Sequence, residues 1–361
     1  MKIAISAAET SGDLIGAKLV AALKFQDADV QIFGLAGDKM ASAGCVKLWE
    51  QKRVNVMGFS EVVRKLPALL QLRKSIIRRF SNDKPDVFIG VDAPDFNFKI
   101  ERKLKKRGVK TVHFISPSVW AWRQNRIKKI KKSTDLVLCL FPFEVDFYKK
   151  HQQRAAFVGH PLAEVLHPRT AYKSSKTILL LPGSRTSEIS RLLPEMLAAA
   201  AIMKKQDEQL NFHLALANDE LLDWAKPLAQ KANVTVSTFD AHQRMSQADL
   251  ALVASGTAAL ELALLGVPMV VVYKLSAFSY FIATKLVKIK QVSLPNIIAG
   301  KSLVPELIQN DANGENIAEQ AMAVLHGDTE ALAQEFKRIH QQLNQNASAE
   351  SARIIREFVG E

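Results

Sequence analysis

The stretch Leu250-Ala251-Leu252-Val253-Ala254-Ser255-Gly256-Thr257-Ala258-Ala259-Leu260-Glu261 decides how the chain is read. Leu250–Val253 is apolar without alternation, as a strand buried on both faces must be. A small turn centred on Gly256 follows, and Ala258-Ala259-Leu260-Glu261 opens a helix. The same unit recurs outward from it. Thr177–Leu181 is a strand and Glu188–Lys205 a helix. Phe212–Leu216, Val234–Ser237 and Met269–Tyr273 are further strands, each followed by a helical segment. In the first half, strands at Lys2–Ser6, Gln31–Ala36, Val87–Val91, Val109–Ile115 and Leu136–Phe141 alternate with helices at Leu14–Lys24, Phe98–Arg107 and Arg126–Lys132. This rhythm predicts an α/β protein of two doubly wound, Rossmann-like domains facing across a cleft, with C-terminal helices. The expected divisions are residues 1–165, 166–345 and a helical tail at 346–361. The polar, proline-bearing stretch from Gly159 to Lys176 is the expected linker.

Charge separates the halves. The 361 residues carry 49 Lys+Arg and 36 Asp+Glu, a net +13. Residues 1–165 hold 30 basic and 16 acidic side chains, hence +14, and the remainder 19 and 20, hence −1. Such a one-sided field suits an anionic partner: nucleic acid, a lipid surface or a phosphorylated ligand. Two cysteines, Cys45 and Cys139, without a CxxC pair, exclude a disulfide framework and give no zinc pattern. Glu9 interrupts any signal-peptide core, and the apolar run Leu262–Tyr273 is too short to span a bilayer. The expectation is a cytoplasmic protein.

Ligands of doubly wound sheets bind beyond the carboxyl ends of the strands, so chemistry is sought in those loops. Ala7-Ala8-Glu9-Thr10-Ser11-Gly12-Asp13 has only one glycine and is no dinucleotide fingerprint. Glu9 projects into the cleft, and Thr10 or Ser11 is placed to cap the helix. Val91-Asp92-Ala93-Pro94-Asp95-Phe96-Asn97 puts Asp92 at a strand tip, where a lone acid suits a general base better than a metal. Asp95 or Asn97 is expected to cap the next helix. Ser116-Pro117-Ser118-Val119-Trp120-Ala121-Trp122-Arg123 offers two rings for stacking, beside a basic run. In the second half, Leu181-Pro182-Gly183-Ser184-Arg185 places a glycine turn, a helix N-terminus and an arginine fork where a phosphate binds. Ser255, Gly256, Thr257 and Ala258 form a second such turn, with Glu261 at ribose distance. Together they predict a nucleoside-diphosphate site.

Residues 62–80 form an amphipathic helix. Val62, Leu66, Leu69, Leu70, Leu72, Ile76, Ile77 and Phe80 share one face, with only Arg73 intruding on it. No acidic residue lies between Glu61 and Asp83. An apolar face with purely basic flanks predicts contact with an anionic lipid surface through Leu66, Leu69, Leu70, Leu72, Arg73, Ile76, Ile77 and Phe80. Pro67 is expected at a first turn or break.

These motifs, with Leu140-Phe141-Pro142-Phe143-Glu144, Gly159-His160-Pro161 and Val292-Ser293-Leu294-Pro295-Asn296, occur in order from about Ile3 to Gln342. In this the chain resembles the lipid-A-disaccharide synthases, inverting glycosyltransferases of the GT-B type (family 19). The resemblance implies a metal-independent, cofactor-free transfer of 2,3-diacylglucosamine from its UDP derivative to the 6-hydroxyl of 2,3-diacylglucosamine 1-phosphate. The products are the β(1→6) disaccharide 1-phosphate and UDP. It implies work at the cytoplasmic face of the Gram-negative inner membrane, on anionic lipid, without nucleic acid, and with a homodimer as one expected assembly. Carried over by motif, Asp92 is the base and Glu9 its neighbour. Gly183, Ser184, Arg185 and residues 255–258 hold the diphosphate, Glu261 the ribose, and Asn296 lines the cleft. Ser11, Trp120, Trp122 and Arg123 belong to the acceptor side. Ala8 departs from the family, where glycine is frequent.

Overall fold

The computed structural model describes residues 1–54, 59–122, 124–169, 174–238, 241–276, 280 and 291–361, and for residues 53 and 59–65 only the backbone. Arg123, and residues 170–173 of the expected linker, lie outside the described residues. The chain divides into two compact units, Met1–Pro161 with Leu343–Glu361, and Leu162–Gln342.

In the first unit, β1 (Lys2–Ala7), β2 (Gln31–Ala36), β3 (Val46–Glu50), β4 (Val87–Val91), β5 (Lys110–Phe114), β6 (Leu136–Cys139) and β7 (Ala155–Phe157) form one parallel sheet, ordered β3-β2-β1-β4-β5-β6-β7. Its helices are α1 (Thr10–Gln26), α2 (Asp38–Ser42), α3 (Phe59–Asp83), α4 (Pro94–Lys105), α5 (Ile127–Ser133) and α6 (Pro142–Lys150). In the second unit, β8 (Thr177–Leu181), β9 (Asn211–Ala215), β10 (Thr235–Ser237), β11 (Leu250–Ala254), β12 (Met269–Tyr273) and β13 (Glu306–Ile308) form a second parallel sheet, ordered β10-β9-β8-β11-β12-β13. Its helices are α7 (Thr186–Gln206), α8 (Leu222–Lys231), α9 (Ala241–Gln247), α10 (Thr257–Leu265), α11 (Leu294–Ala299), α12 (Gly314–Leu325) and α13 (Thr329–Leu343). Each strand order reverses once, between β1 and β4 and between β8 and β11. At such a reversal the flanking helices leave on opposite faces and open a crevice.

The inner strands are mostly apolar and buried because helices cover both sheet faces, with Ser6, Thr111, His113 and His213 as buried polar exceptions. Edge strands β3, β7 and β13 are short and half-exposed, and the hydrophobic pattern does not announce them. Residues 346–361 are no separate tail. Their helix, α14 (Ala347–Gly360), packs on α1 and puts Ala352, Ile355 and Phe358 into the first unit's core. Asp13 is buried, and its carboxylate accepts the backbone N–H groups of Gly37 (2.8 Å), Lys39 (3.0 Å) and Met40 (3.2 Å). It thereby caps α2 from across the fold.

The basic amphipathic helix resolves into two parts. α3 runs through Pro67, which is exposed, so the missing hydrogen bond faces water. Leu66 and Leu70 are 45% and 41% exposed, and Leu69 is half-buried. Leu72, Ile76 and Phe80 are instead core residues, 7%, 0% and 0% exposed, with Ile77 packed against them. Phe80 meets Phe33, Trp49 and Phe88 at ring distances of 5.8, 5.6 and 6.0 Å. These three cannot face lipid, because the sheet already takes their side of the helix. Among the described residues no helix is long and apolar enough to cross a membrane. Phe80→Ala should therefore cost about 3–5 kcal/mol, as cavity-forming core substitutions do. Leu70→Ser should stay within about 0.5 kcal/mol. Denaturant titration of both variants checks the division of the helix.

Candidate active site

The first unit's strand-order reversal brings together the two loops that carry Glu9 and Asp92. β4 continues its ladder into Asp92, whose N–H donates to Phe114 O at 2.9 Å. The chain then turns sharply: Asp92 (φ 50°) and Ala93 (φ 42°) are both left-handed, a conformation costing non-glycine residues roughly 1–3 kcal/mol each. Ile115, beyond β5, is left-handed too (φ 77°). Asn97 supports this turn. Its fully buried amide donates to Ser6 O (3.2 Å), Val91 O (3.2 Å) and Asp92 O (2.8 Å), and its oxygen accepts from Ser6 Oγ (2.8 Å). So Asn97 ties the ends of β1 and β4 to each other rather than capping α4. Nor does Asp95 cap: it is an exposed ion-pair partner of Arg126 and Lys129 on and beside α5. Gly90 admits this packing, since a Cβ there would lie 2.2 Å from Glu101 Oε1. Glu101 is itself buried against His113 (2.7 Å to Nδ1).

Glu9 occupies the N-cap position of α1, with no side-chain cap bond. The residue is exposed, yet partial burial of its carboxyl, helped by the Asp92 charge, raises its pKa. Two carboxyls therefore share one electrostatic environment at the strand tips. Ser11, the second residue of α1, is exposed.

The tryptophan loop is pinned from beneath. Glu144, 2% exposed, accepts from Ser116, the Trp120 side chain and the backbone N–H of Phe141 (3.2 Å), and burial pushes its pKa up to about 8. Trp120 packs edge-on to Phe143 (4.6 Å), while Trp122 is 42% exposed.

In the second unit, the two glycine turns predicted to bind phosphate meet in one pocket of about 480 Å³. Leu181, Gly183, Ser184 and Arg185 line one side and Ser255, Gly256, Thr257, Ala258 and Glu261 another; Leu216 and Met245 supply an apolar wall. Both α7 and α10 begin without a side-chain cap bond. Unclaimed first-turn N–H groups are what an anion requires. Gly183 is left-handed (φ 111°), and a Cβ there would meet Glu188 Oε2 at 2.7 Å. That Glu188 carboxylate pairs with Arg185 (2.8 Å), which is otherwise 78% exposed. Glu261 stands 3.6 Å from His242 Nε2.

Asn296 belongs elsewhere. It is buried and does not line this pocket. Its oxygen accepts from Leu303 N and Val304 N (2.8 and 3.0 Å), and its amide donates to Val304 O and Glu306 Oε1 (2.9 and 2.8 Å). Its hydrogen-bonding capacity is thus spent on the fold. Glu306 also accepts from Ser293 N, Ser293 Oγ and Val292 N, and Val292 O accepts Ser255 Oγ at 2.8 Å. Asn296 reaches the pocket only through this relay. Glu306, Asn97, Glu144 and Glu188 carry no local sequence signal for these roles; only the fold assembles their partners.

Glu144 yields a pH dependence. Its pKa rises from 4.5 to about 8 on folding, so between these values the unfolded chain binds fewer protons than the folded one. Stability then falls as pH rises through that window. Glu144→Gln should flatten the fall, seen as a thermal midpoint that changes less between pH 5 and 8 than in the parent.

The lipid-A-disaccharide synthetase family model matches residues 3–359. A lipid-A-disaccharide synthase of Actinobacillus pleuropneumoniae serotype 5b is 42% identical over 98% of this chain and 95% of its own. That of Aeromonas hydrophila is 40% identical over 100% and 99%. Among solved structures, a UGT transferase from Siraitia grosvenorii in complex with UDP has a TM-score of 0.64 at 12% identity, covering 100% of both chains. A UDP-GlcNAc 2-epimerase from Neisseria meningitidis bound to UDP-GlcNAc also scores 0.64 at 12% identity, covering 99% of each chain. The distant structures fix the fold as GT-B. The near relatives go further: this chain is a glycosyltransferase belonging to the lipid-A-disaccharide synthetase family.

Proposed function

We propose that the protein transfers 2,3-diacylglucosamine from its UDP derivative to the 6-hydroxyl of 2,3-diacylglucosamine 1-phosphate, with inversion, releasing UDP. The observation that carries the donor half is the meeting of residues 183–185 and 255–258 in one pocket with two uncapped helix starts. There the diphosphate takes the N–H groups of both turns, and Arg185 exchanges Glu188 for a phosphate oxygen. Glu261 accepts from the ribose diol, and Leu216 with Met245 flanks the uracil. Charge developing on departing UDP is stabilised by Arg185 and the helix N-termini. On the acceptor side, Asp92 removes the 6-hydroxyl proton as the anomeric carbon is attacked. Glu9 and Ser11 border the same site, and Trp120 and Trp122 flank the acceptor sugar.

Both sugars carry acyl chains, so the enzyme works at a membrane surface, which we place at the inner face of the inner membrane. Among the described side chains of α3, Leu66, Leu69 and Leu70 are the apolar ones of its face left to touch it, amid a first half of net charge +14.

Two substitutions test the assignment. Asp92→Asn should lower turnover at least about a thousandfold while UDP affinity stays within about twofold, by calorimetry and a coupled assay with both acylated sugars; an active variant removes Asp92 as base. Arg185→Ala should weaken UDP binding about 10- to 100-fold, the worth of a charge-assisted hydrogen bond. Unchanged UDP binding would overturn the diphosphate assignment.

A further inference from the structure

Glu101 and His113 are ionisable residues set inside the first unit, away from its loops. Glu101 lies on α4, one turn beyond Asn97, and His113 on β5. Both are fully buried, and Glu101 Oε1 stands 2.7 Å from His113 Nδ1. The Phe98 ring covers the imidazole at 4.3 Å. Among the described residues, Glu101 Oε2 and His113 Nε2 have no hydrogen-bond partner. Such a pair is a poor source of stability, because apolar residues of similar volume would serve as well or better. What it supplies is direction. The apolar contacts of Phe96, Ile100 and Leu104 set how deeply α4 lies on the sheet. A short buried hydrogen bond also fixes where the helix stands along the strands.

The pair adjoins the Asp92 turn on two sides. On the sheet side, His113 is the register partner of Gly90, and Phe114 that of Val91. Phe114 O then accepts the Asp92 N–H at 2.9 Å. On the helix side, Asn97 and Glu101 straddle Gly90. A Cβ on Gly90 would come within 2.9 Å of Asn97 Cβ and 2.2 Å of Glu101 Oε1. One face of α4 therefore grips the end of β4 twice. Asn97 holds the Val91 and Asp92 carbonyls, and Glu101 locks the helix to β5. Asn97 keeps the left-handed turn in place only while α4 keeps its own place, and the bond to His113 secures that.

We infer that Glu101, acting through His113, is a positioning residue for the Asp92 carboxylate. The inference rests on the proposed role of Asp92 as base. It requires turnover to depend on the buried pair while folding and nucleotide binding do not. Turnover is measured with both acylated sugars, beside the acceptor KM, UDP affinity and the thermal midpoint.

Glu101→Met should lower kcat about 10- to 100-fold, the cost of displacing a reacting group by about an ångström. It should leave the acceptor KM and UDP affinity within about twofold. Glu101→Gln keeps an oxygen for Nδ1 and should restore turnover to within about twofold of the parent. Replacing the pair together, Glu101→Leu with His113→Leu, fills the space without the bond. This variant should match or exceed the parent's thermal midpoint yet lose turnover as Glu101→Met does, and it serves if the methionine variant does not fold. In single turnovers of Asp92→Asn, adding Glu101→Met should change the residual rate by less than about twofold, because nothing is left to position. Full turnover in the leucine pair would overturn the inference. So would the same loss with and without the Asp92 carboxylate, which would make Glu101 a general support of the fold. If Asp92→Asn alone is as active as the parent, the base assignment fails, and the inference with it.

Discussion

The turn after β4 depends on the Asn97 side chain, and the acceptor-side carboxyls depend on that turn. A parallel strand entering a helix so abruptly forces two consecutive left-handed residues, Asp92 and Ala93, neither of them glycine. That geometry persists only if something over-determines it. Asn97 does so by holding three carbonyls and one hydroxyl, and because Ser6 supplies two of those four bonds, the end of β1 is fixed in the same step. Glu9, three residues past Ser6, is thereby brought into the electrostatic range of Asp92.

The two units share a winding and differ in what they place at the reversal of strand order. The first puts two carboxyls there, that of Asp92 on left-handed backbone and that of Glu9 on extended backbone. The second surrounds its helix starts with glycine turns, an arginine and small hydroxyl residues. Rigidity is supplied by acids set behind both sites: Glu144 under the tryptophan loop, Glu306 behind Ser255. Such supporting carboxylates set the precision of groups that touch ligand.

Much of this was legible beforehand, for a physical reason. Strands such as Val87–Val91 and Leu250–Ala254 are apolar at every position because both faces are covered, so composition alone reveals them. The turns at 183–185 and 255–258 are local in sequence, and their chemistry was readable there. Periodicity failed where it had to choose between environments: the α3 face looks the same whether lipid or a sheet receives it, and Phe80 went to the sheet. Local capping rules point to Asp95 or Asn97 as a cap of α4, whereas Asn97 finds partners on β1, 91 residues away, and at the end of β4. Asn296 sits in a motif that points to a ligand contact, but sequence cannot show that both ends of its amide are satisfied within the fold. The membership of α14 in the first unit is set by contacts with α1, which no local pattern encodes.

That last feature bears on how the protein is made. The Gln26 side chain donates to the Ala349 carbonyl, a contact spanning 323 residues. A ribosome working at about 5–20 residues per second needs roughly 15–65 s between making those two groups. Throughout that interval the face of α1 that will meet Ile355 and Phe358 is without its cover, while the whole of the second unit is being synthesised. The first unit thus completes its core only after residues 347–360 have left the exit tunnel.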